Sequence, residues 1–163
     1  VAPAPVDTLR TEFLKSAGET LVGEDAPWIS GWTLDGEVWN VGMAFDDSTT
    51  QRLALVFFAS WCAPCRHGLK LLEARAEDLE AWNTRVVLVN VSEEPERVRA
   101  FLGDAPAFTV LLDRYGGTKQ SYLRTVEGVV ALPQTVLVTR NRRVQAIIGK
   151  EGADYVDRVL AGK

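Results

Sequence analysis

The stretch that decides the fold is Leu53-Ala54-Leu55-Val56-Phe57-Phe58-Ala59-Ser60-Trp61-Cys62-Ala63-Pro64-Cys65. Its first seven residues are apolar without alternation, which is typical of a central strand covered on both faces. A helical pattern begins at Ala63 and continues to about Trp82, and a second apolar strand follows at residues 86–91. We expect this β-α-β unit to have parallel strands and a right-handed crossover. The sequence therefore predicts an α/β fold with two cysteines at the start of its first central helix.

The rest of the chain is compatible with one α/β domain. Asp35-Gly36 lies between strand-like flanks, which indicates a β-hairpin. We also expect helices over 7–17, 95–102, near 118–124 and after Gly152, and strands at 110–112, 135–139 and 144–148. The predicted core is a four-stranded mixed sheet with helices on both faces, in the order 86–91, 53–59, 135–139, 144–148. We assign residues 1–22 to an N-terminal tether and short helix, and residues 23–163 to the domain.

Composition and charge exclude some functions. The 163 residues are 47% hydrophobic and carry a formal net charge of −4, so a core can form but the basic surface of a nucleic-acid-binding protein is missing. No apolar run approaches the roughly 20 residues that span a bilayer. The Pro/Ala-rich opening at 1–5 is either a tether left after removal of a signal peptide or anchor, or an ordinary frayed terminus.

The two cysteines, Cys62 and Cys65, are the only ones in the chain and lie three positions apart. A bond between them closes a very short loop and adds little stability. A structural zinc site needs four ligands, but the sequence offers only two cysteines and one histidine, His67. Unpaired N–H groups and the helix dipole stabilise a thiolate at Cys62, and thiolates attack disulfides. We predict that Cys62 is the exposed attacking sulfur and Cys65 the resolving sulfur.

Other readings of this pair exist, because structural metal knuckles share the Cys-x-x-Cys spacing and cysteines also serve as small buried hydrophobes. The order of strand, Cys-x-x-Cys and helix favours redox chemistry. Pro64 lacks an N–H and has a φ that suits the first helical turn, and Trp61 is expected to shield Cys62 and offer contact surface. Pro133, just before the predicted strand at 135–139, would arrive next to Cys62 if that strand lies beside 53–59.

The stretch 57–66 resembles the active site of the thioredoxin superfamily, and the best fit is to its TlpA/ResA-like branch. Three further stretches agree: residues 23–27 with the Asp35-Gly36 hairpin resemble the N-terminal extension of that branch, residues 89–94 the start of its central insertion, and residues 132–135 its cis-proline segment. The resemblance implies a thioredoxin fold and a thiol–disulfide oxidoreductase without a cofactor beyond the redox-active Cys62–Cys65 disulfide. It also implies a cis Leu132–Pro133 bond that exposes the Leu132 backbone for pairing with a substrate.

The resemblance further implies partner proteins that carry thiols or disulfides, an extracytoplasmic location that is often membrane-tethered, and in some relatives a role in cytochrome c maturation. The substrate-binding support would come from Trp61, Ala63, Pro64, Leu132 and Pro133. We expect a monomer, no metal and no nucleic acid partner, with a membrane thiol reductant upstream.

Two positions depart from the family pattern. Thioredoxins keep a buried acid six residues before the first cysteine, where this chain has Val56, and ResA-like proteins often have a Glu three residues after the second, where it has Gly68. A buried carboxylate would carry the proton that activates Cys65. We therefore expect Cys65 to deprotonate slowly or to use water. His67 is a candidate base, although an exposed helix position is favoured for it, and Glu93 and Glu94 are interpreted as a helix start.

Three other functions are weighed against this one. A peroxiredoxin shares the fold, but its peroxide site wants a Thr where this chain has Ala59. A copper-delivery protein would want a wider cysteine pair and a more distant histidine than His67. A non-enzymatic chaperone or adaptor that kept the fold is the third alternative.

Overall fold

The computed structural model describes residues 22–123, 125–126, 129–149 and 151–163. The expected helix over residues 7–17 lies outside them. The strands are β1 (Ser30–Thr33), β2 (Val38–Asn40), β3 (Arg52–Phe58), β4 (Thr84–Val91), β5 (Thr109–Asp113), β6 (Thr125–Val126), β7 (Val129–Val130), β8 (Gln134–Thr139) and β9 (Val144–Ile148). The helices are α1 (Ala63–Ala74), α2 (Ala76–Ala81), α3 (Pro95–Leu102), α4 (Gly117–Tyr122) and α5 (Tyr155–Ala161), with a short 3-10 helix over Val41–Phe45.

The main sheet has seven strands in the order β2-β1-β5-β4-β3-β8-β9. β3 pairs in parallel with β4 and antiparallel with β8, and β4 pairs in parallel with β5. The predicted order of the four central strands is confirmed, as is the mixed α/β fold. The predicted hairpin, β1–β2, extends this sheet because β1 pairs antiparallel with β5.

The central strand β3 divides the core between the two faces of the sheet. Leu53, Leu55 and Phe57 enter one buried cluster, and the alternate residues Ala54, Val56 and Phe58 enter the other. Residues from α1, α2, α3 and α5 pack into the second cluster, whereas Tyr122 of α4 packs into the first. Both faces of β3 are therefore covered, as its uninterrupted apolar sequence predicts.

The long helix expected from Ala63 to Trp82 is wrong in one respect, because it is broken at Arg75. The backbone there has φ −120° and ψ 28°, which separates α1 from α2. The Arg75 side chain forms ion pairs with Asp78 of α2 and Asp157 of α5. Leu72 and Leu79 are both buried, so the apolar periodicity continues across the break and gives no sign of it in the sequence.

A strap over residues 23–29 connects the two sides of the sheet. At one side it runs along β9, where the Gly23 N–H donates to Val144 O at 2.8 Å and the Val144 N–H donates to Glu24 O at 2.9 Å. Ile29, at its other end, is buried in the cluster that includes Phe57. The strap leads directly into β1, which covers the free side of β5.

Candidate redox site

The predicted cysteine pair forms a disulfide at the N-terminus of α1. Cys62 and Cys65 are bonded, with their Cα atoms 5.3 Å apart. Cys62 occupies the N-cap position of α1, and the Cys65 N–H donates a hydrogen bond to the Cys62 Sγ at 3.3 Å. The Cys62 sulfur therefore lies where the first helical N–H groups converge, which is the environment that lowers the pKa of a thiol.

Both cysteines are buried in this oxidised form. Cys62 is 4% exposed and Cys65 is 1% exposed, so the expectation of an exposed Cys62 sulfur is wrong for the disulfide. Both sulfur-bearing residues join the core cluster that contains Phe58 and Leu69. A partner must approach over the exposed residues that surround Cys62.

Exposed residues flank Cys62 on both sides in the sequence. Trp61 is 65% exposed, and Ala63 and Pro64 are exposed at the start of α1. Pro64 lies in the first helical turn, where its missing N–H breaks no helical hydrogen bond. Trp61 thus presents a large aromatic surface immediately before the disulfide.

The Leu132–Pro133 peptide bond is cis, as the resemblance implies. Gln134, which follows it, is paired with Phe57 of β3. This register brings Pro133 to the carboxyl end of β3, from which the chain enters the segment 59–62. Pro133 is buried and Leu132 is half-buried, so the segment predicted as substrate-binding support lies at the same end of the sheet as the disulfide.

Glu93 supports the turn that precedes Cys62, a contact that the sequence does not reveal. Its carboxylate accepts hydrogen bonds from the Ser60 N–H at 2.7 Å, the Ser60 hydroxyl at 2.5 Å and the Asn90 side chain at 2.9 Å. Burial disfavours the charged form, but these hydrogen bonds and Arg97 outweigh it and lower the pKa of Glu93. The interpretation of Glu93 and Glu94 as a helix start is confirmed for Glu94, the N-cap of α3, whereas the Glu93 carboxylate instead accepts hydrogen bonds from Ser60 and Asn90.

A second buried carboxyl, Glu151, lies against α1. The residue is 9% exposed, and among the residues that the structure describes neither of its carboxyl oxygens has a hydrogen-bond partner of good geometry. Burial raises the pKa of Glu151 to about 8, while the backbone of Gly68 acts in the opposite direction. The sequence marks Gly68 as unusual but contains no signal that pairs it with Glu151, because the two residues meet only through the tertiary fold.

The remaining candidates do not enter the site. His67 is exposed on α1, as favoured above. In the part of the chain that the structure describes, no group of three His, Cys, Asp or Glu residues is arranged to hold a metal ion. None of the helices in the described ranges is both long enough and apolar enough to cross a membrane.

The fold and the disulfide define a thioredoxin-like protein of the thiol–disulfide exchange class. Residues 22–147 match the family model described as the AhpC/TSA family, and this chain belongs to that family. It is 28% identical over 129 residues to the thioredoxin-like protein YneN of Bacillus subtilis, which covers 77% of this chain and 69% of YneN. It is 25% identical over 142 residues to the thiol-disulfide oxidoreductase ResA of Geobacillus thermodenitrificans, which covers 86% of this chain and 76% of ResA.

A solved structure gives the same result. The crystal structure assigned to a thiol:disulfide interchange protein, DsbE, from Chlorobium tepidum superposes with a TM-score of 0.72 at 28% identity. The superposition covers 88% of this chain and 99% of that one. The predicted resemblance to ResA-like proteins and the predicted class, a thioredoxin-like thiol–disulfide oxidoreductase, are therefore confirmed.

Proposed function

We propose that this protein exchanges thiols and disulfides with partner proteins through Cys62 and Cys65, chiefly as a reductant. The observation that carries the proposal is the disulfide at the N-terminus of α1, directly after the central strand. A disulfide that closes so short a loop contributes little to chain stability. Its position among helical N–H groups instead favours reversible opening.

The proposed exchange transfers two electrons to the partner. The Cys62 thiolate attacks one sulfur of a partner disulfide, forms a mixed disulfide and releases the first partner thiolate. Cys65, as a thiolate, then attacks the Cys62 Sγ and releases the second partner thiolate. The partner disulfide becomes a dithiol, and the Cys62–Cys65 disulfide shown by the structure is the oxidised product.

The partner would bind on the surface formed by Trp61, Ala63, Pro64, Leu132 and Pro133. Trp61 supplies exposed aromatic area, which suits contact with unfolded or extended chains. The Leu132 backbone lies just outside β8, which supports its proposed pairing with an extended partner segment. This surface lacks the basic character that a nucleic acid would need.

The setting that we propose is extracytoplasmic, with the protein free or membrane-anchored and regenerated by a membrane thiol reductant. The support is the similarity to ResA of Geobacillus thermodenitrificans and to the DsbE structure of Chlorobium tepidum. Service to cytochrome c maturation and a monomeric state belong to the same proposal. Fractionation of the native host, with the protein detected in each fraction, tests the location.

The direction of exchange is tested by the reduction potential. The protein is equilibrated in redox buffers and the dithiol fraction is read from thiol alkylation and from Trp61 fluorescence. We expect a value near the roughly −270 mV of thioredoxin, whereas a value near the roughly −120 mV of strong oxidants would make the protein a disulfide donor. The absence of a reversible transition would refute the redox function.

The roles of the two cysteines are tested by single substitutions. Cys62→Ala should abolish exchange, because no thiolate remains at the helix N-cap. Cys65→Ala should trap mixed disulfides on Cys62, detectable as adducts that dissolve on reduction, and failure to form them would refute the assignment. A Cys62→Ser, Cys65→Ser double variant that kept full biological activity would instead favour the chaperone or adaptor alternative, and tight stoichiometric Cu(I) binding by the wild-type protein would favour copper delivery.

A further inference from the structure

The proposed exchange leaves the proton of Cys65 without an acceptor, and Glu151 is a buried carboxyl with no hydrogen-bond partner in the described part of the chain. A carboxyl that served only stability would be expected to accept hydrogen bonds, since leaving one buried and unpaired is costly. Both oxygens of Glu151 lack such partners among the described residues. The contrast with Glu93, whose carboxylate accepts three hydrogen bonds, shows that this fold can satisfy a buried acid.

Glu151 reaches the site through a gap left by Gly68. An ideal Cβ on Gly68 would lie within 3.0 Å of the carboxyl carbon and of both oxygens of Glu151. The carboxyl therefore occupies the space of a side chain at position 68. Gly68 follows Cys65 by three residues on α1, and residues at that spacing have Cβ atoms roughly 5–6 Å apart on one helix face. The Glu151 carboxyl therefore lies against the helix face that also carries Cys65.

Two titratable groups bear on the role of Glu151 among the described residues. Tyr155 of α5 is electrostatically coupled to it, and Cys65 lies one helical turn before Gly68 on α1. Burial raises the pKa of Tyr155 far above neutrality, and its hydroxyl is hydrogen-bonded to the Thr135 hydroxyl at 2.6 Å. Tyr155 therefore stays neutral. The pKa of Glu151, about 8, is close to that of an ordinary thiol, about 8.5, so a proton passes between the two groups at little cost.

We propose that Glu151 is the proton carrier of Cys65, delivered from the segment before α5 into the gap at Gly68. The inference rests on the proposed exchange function. When the mixed disulfide forms, the proton of the Cys65 thiol passes to Glu151 in the molecules whose carboxyl is ionised, and the Cys65 thiolate attacks the Cys62 Sγ and releases the partner thiolate. When the Cys62–Cys65 disulfide is opened by an incoming thiolate at Cys62, the protonated carboxyl returns that proton to the departing Cys65 thiolate.

This arrangement explains two features of the sequence. The position that often carries a Glu in ResA-like proteins is a glycine here, because any side chain would displace the Glu151 carboxyl. The acid missing at Val56 and at position 68 is thus supplied from a different part of the chain. The proposal is an alternative to the expectation that Cys65 deprotonates slowly or uses water.

The test separates the two chemical steps with the chromogenic disulfide dithiobis(nitrobenzoate). The reduced protein releases one nitrothiobenzoate when Cys62 attacks and a second when Cys65 resolves the adduct, so stopped-flow absorbance gives both rates. For Glu151→Gln we expect an unchanged first phase and a second phase slowed on the order of 10²-fold near pH 7, the usual size of a general base effect. The pH profile of that phase should move to higher pH, because Cys65 then titrates without help.

Two further variants make the result specific. Gly68→Ala keeps the carboxyl in the chain but forces it out of its site, so the second phase should slow in the same way. Glu73→Gln removes an exposed acid from the same helix and should leave both phases at wild-type rates. An unchanged second phase in Glu151→Gln, or equal slowing in Glu73→Gln, overturns the role of Glu151. Absence of any nitrothiobenzoate release from the wild-type protein would instead refute the exchange function.

Discussion

Glu151→Gln should remove a pH dependence of stability from the oxidised protein, in which no cysteine titrates. The folded protein holds the pKa of this carboxyl at about 8, against an ordinary value of 4.5. Between these values the folded state binds the proton and the unfolded state does not. The free energy of unfolding therefore falls as the pH rises from about 4.5 to about 8, and the full loss is present above that range. Gln has the same shape without the titration.

The size of the effect follows from the same pKa. The difference of about 3.5 between the folded and ordinary values, at about 1.36 kcal/mol for each tenfold change in proton affinity, gives an upper limit of about 5 kcal/mol. Relaxation of the protein around the ionised carboxylate offsets part of this, so we expect about 2–3 kcal/mol. The free energy of unfolding of Glu151→Gln, relative to that of wild type, should therefore rise by about 2–3 kcal/mol between about pH 5 and about pH 9.

Urea unfolding of both oxidised proteins across this range measures the difference directly. Glu73→Gln, which removes an exposed acid from α1, is the control and should follow wild type at every pH. A constant difference between Glu151→Gln and wild type would show that the carboxyl does not titrate in the folded protein near pH 8. That outcome would remove the electrostatic part of the argument for a proton carrier.

Three other predictions concern neighbouring contacts. Gly68→Ala should raise the urea midpoint near pH 9 for two reasons. Replacing a helix-interior glycine stabilises the helix by about 0.5–1 kcal/mol, and the new side chain moves the charged Glu151 carboxylate out of its buried site. A lower midpoint would contradict the proposed gap. Glu93→Gln should lower the free energy of unfolding by about 1–3 kcal/mol, and this difference should vanish as the pH falls through the lowered pKa of Glu93. The control Glu96→Gln, on the surface, should leave the free energy of unfolding unchanged. Arg52→Met should lower the free energy of unfolding by about 1.5–3 kcal/mol, because it removes hydrogen bonds to the last carbonyls of α5. Unchanged rates of amide hydrogen exchange in α5 would contradict this prediction.

The centre of the fold could be predicted because its sequence is locally unambiguous. The uninterrupted apolar run at 53–59 identifies a strand covered on both faces, and the Asp35-Gly36 turn and the helix beginning at Pro95 are equally explicit. The cis bond at Pro133 was expected from the resemblance, since the residues around it do not by themselves distinguish cis from trans.

Other features depend on contacts between distant parts of the chain and could not be read from the sequence. The break at Arg75 preserves the apolar periodicity, so no pattern marks it. Glu93 looks like a helix-start residue until Ser60 is seen beside it. Gly68 could be recognised as a missing acid, but its replacement by Glu151 requires knowledge of where the segment after β9 returns to α1.

The strap over residues 23–29 has a consequence for solubility. An open sheet has two lateral strands whose unpaired N–H and C=O groups invite pairing with another molecule, the starting point of aggregation. Here the outer side of β9 is hydrogen-bonded at Val144 by Gly23 and Glu24, so the strap covers part of one lateral strand, while β2 forms the opposite edge of the sheet. Proteolytic cleavage within the strap would expose the outer side of β9 in a molecule whose redox centre is otherwise intact, so the nicked protein should self-associate before it loses its disulfide chemistry.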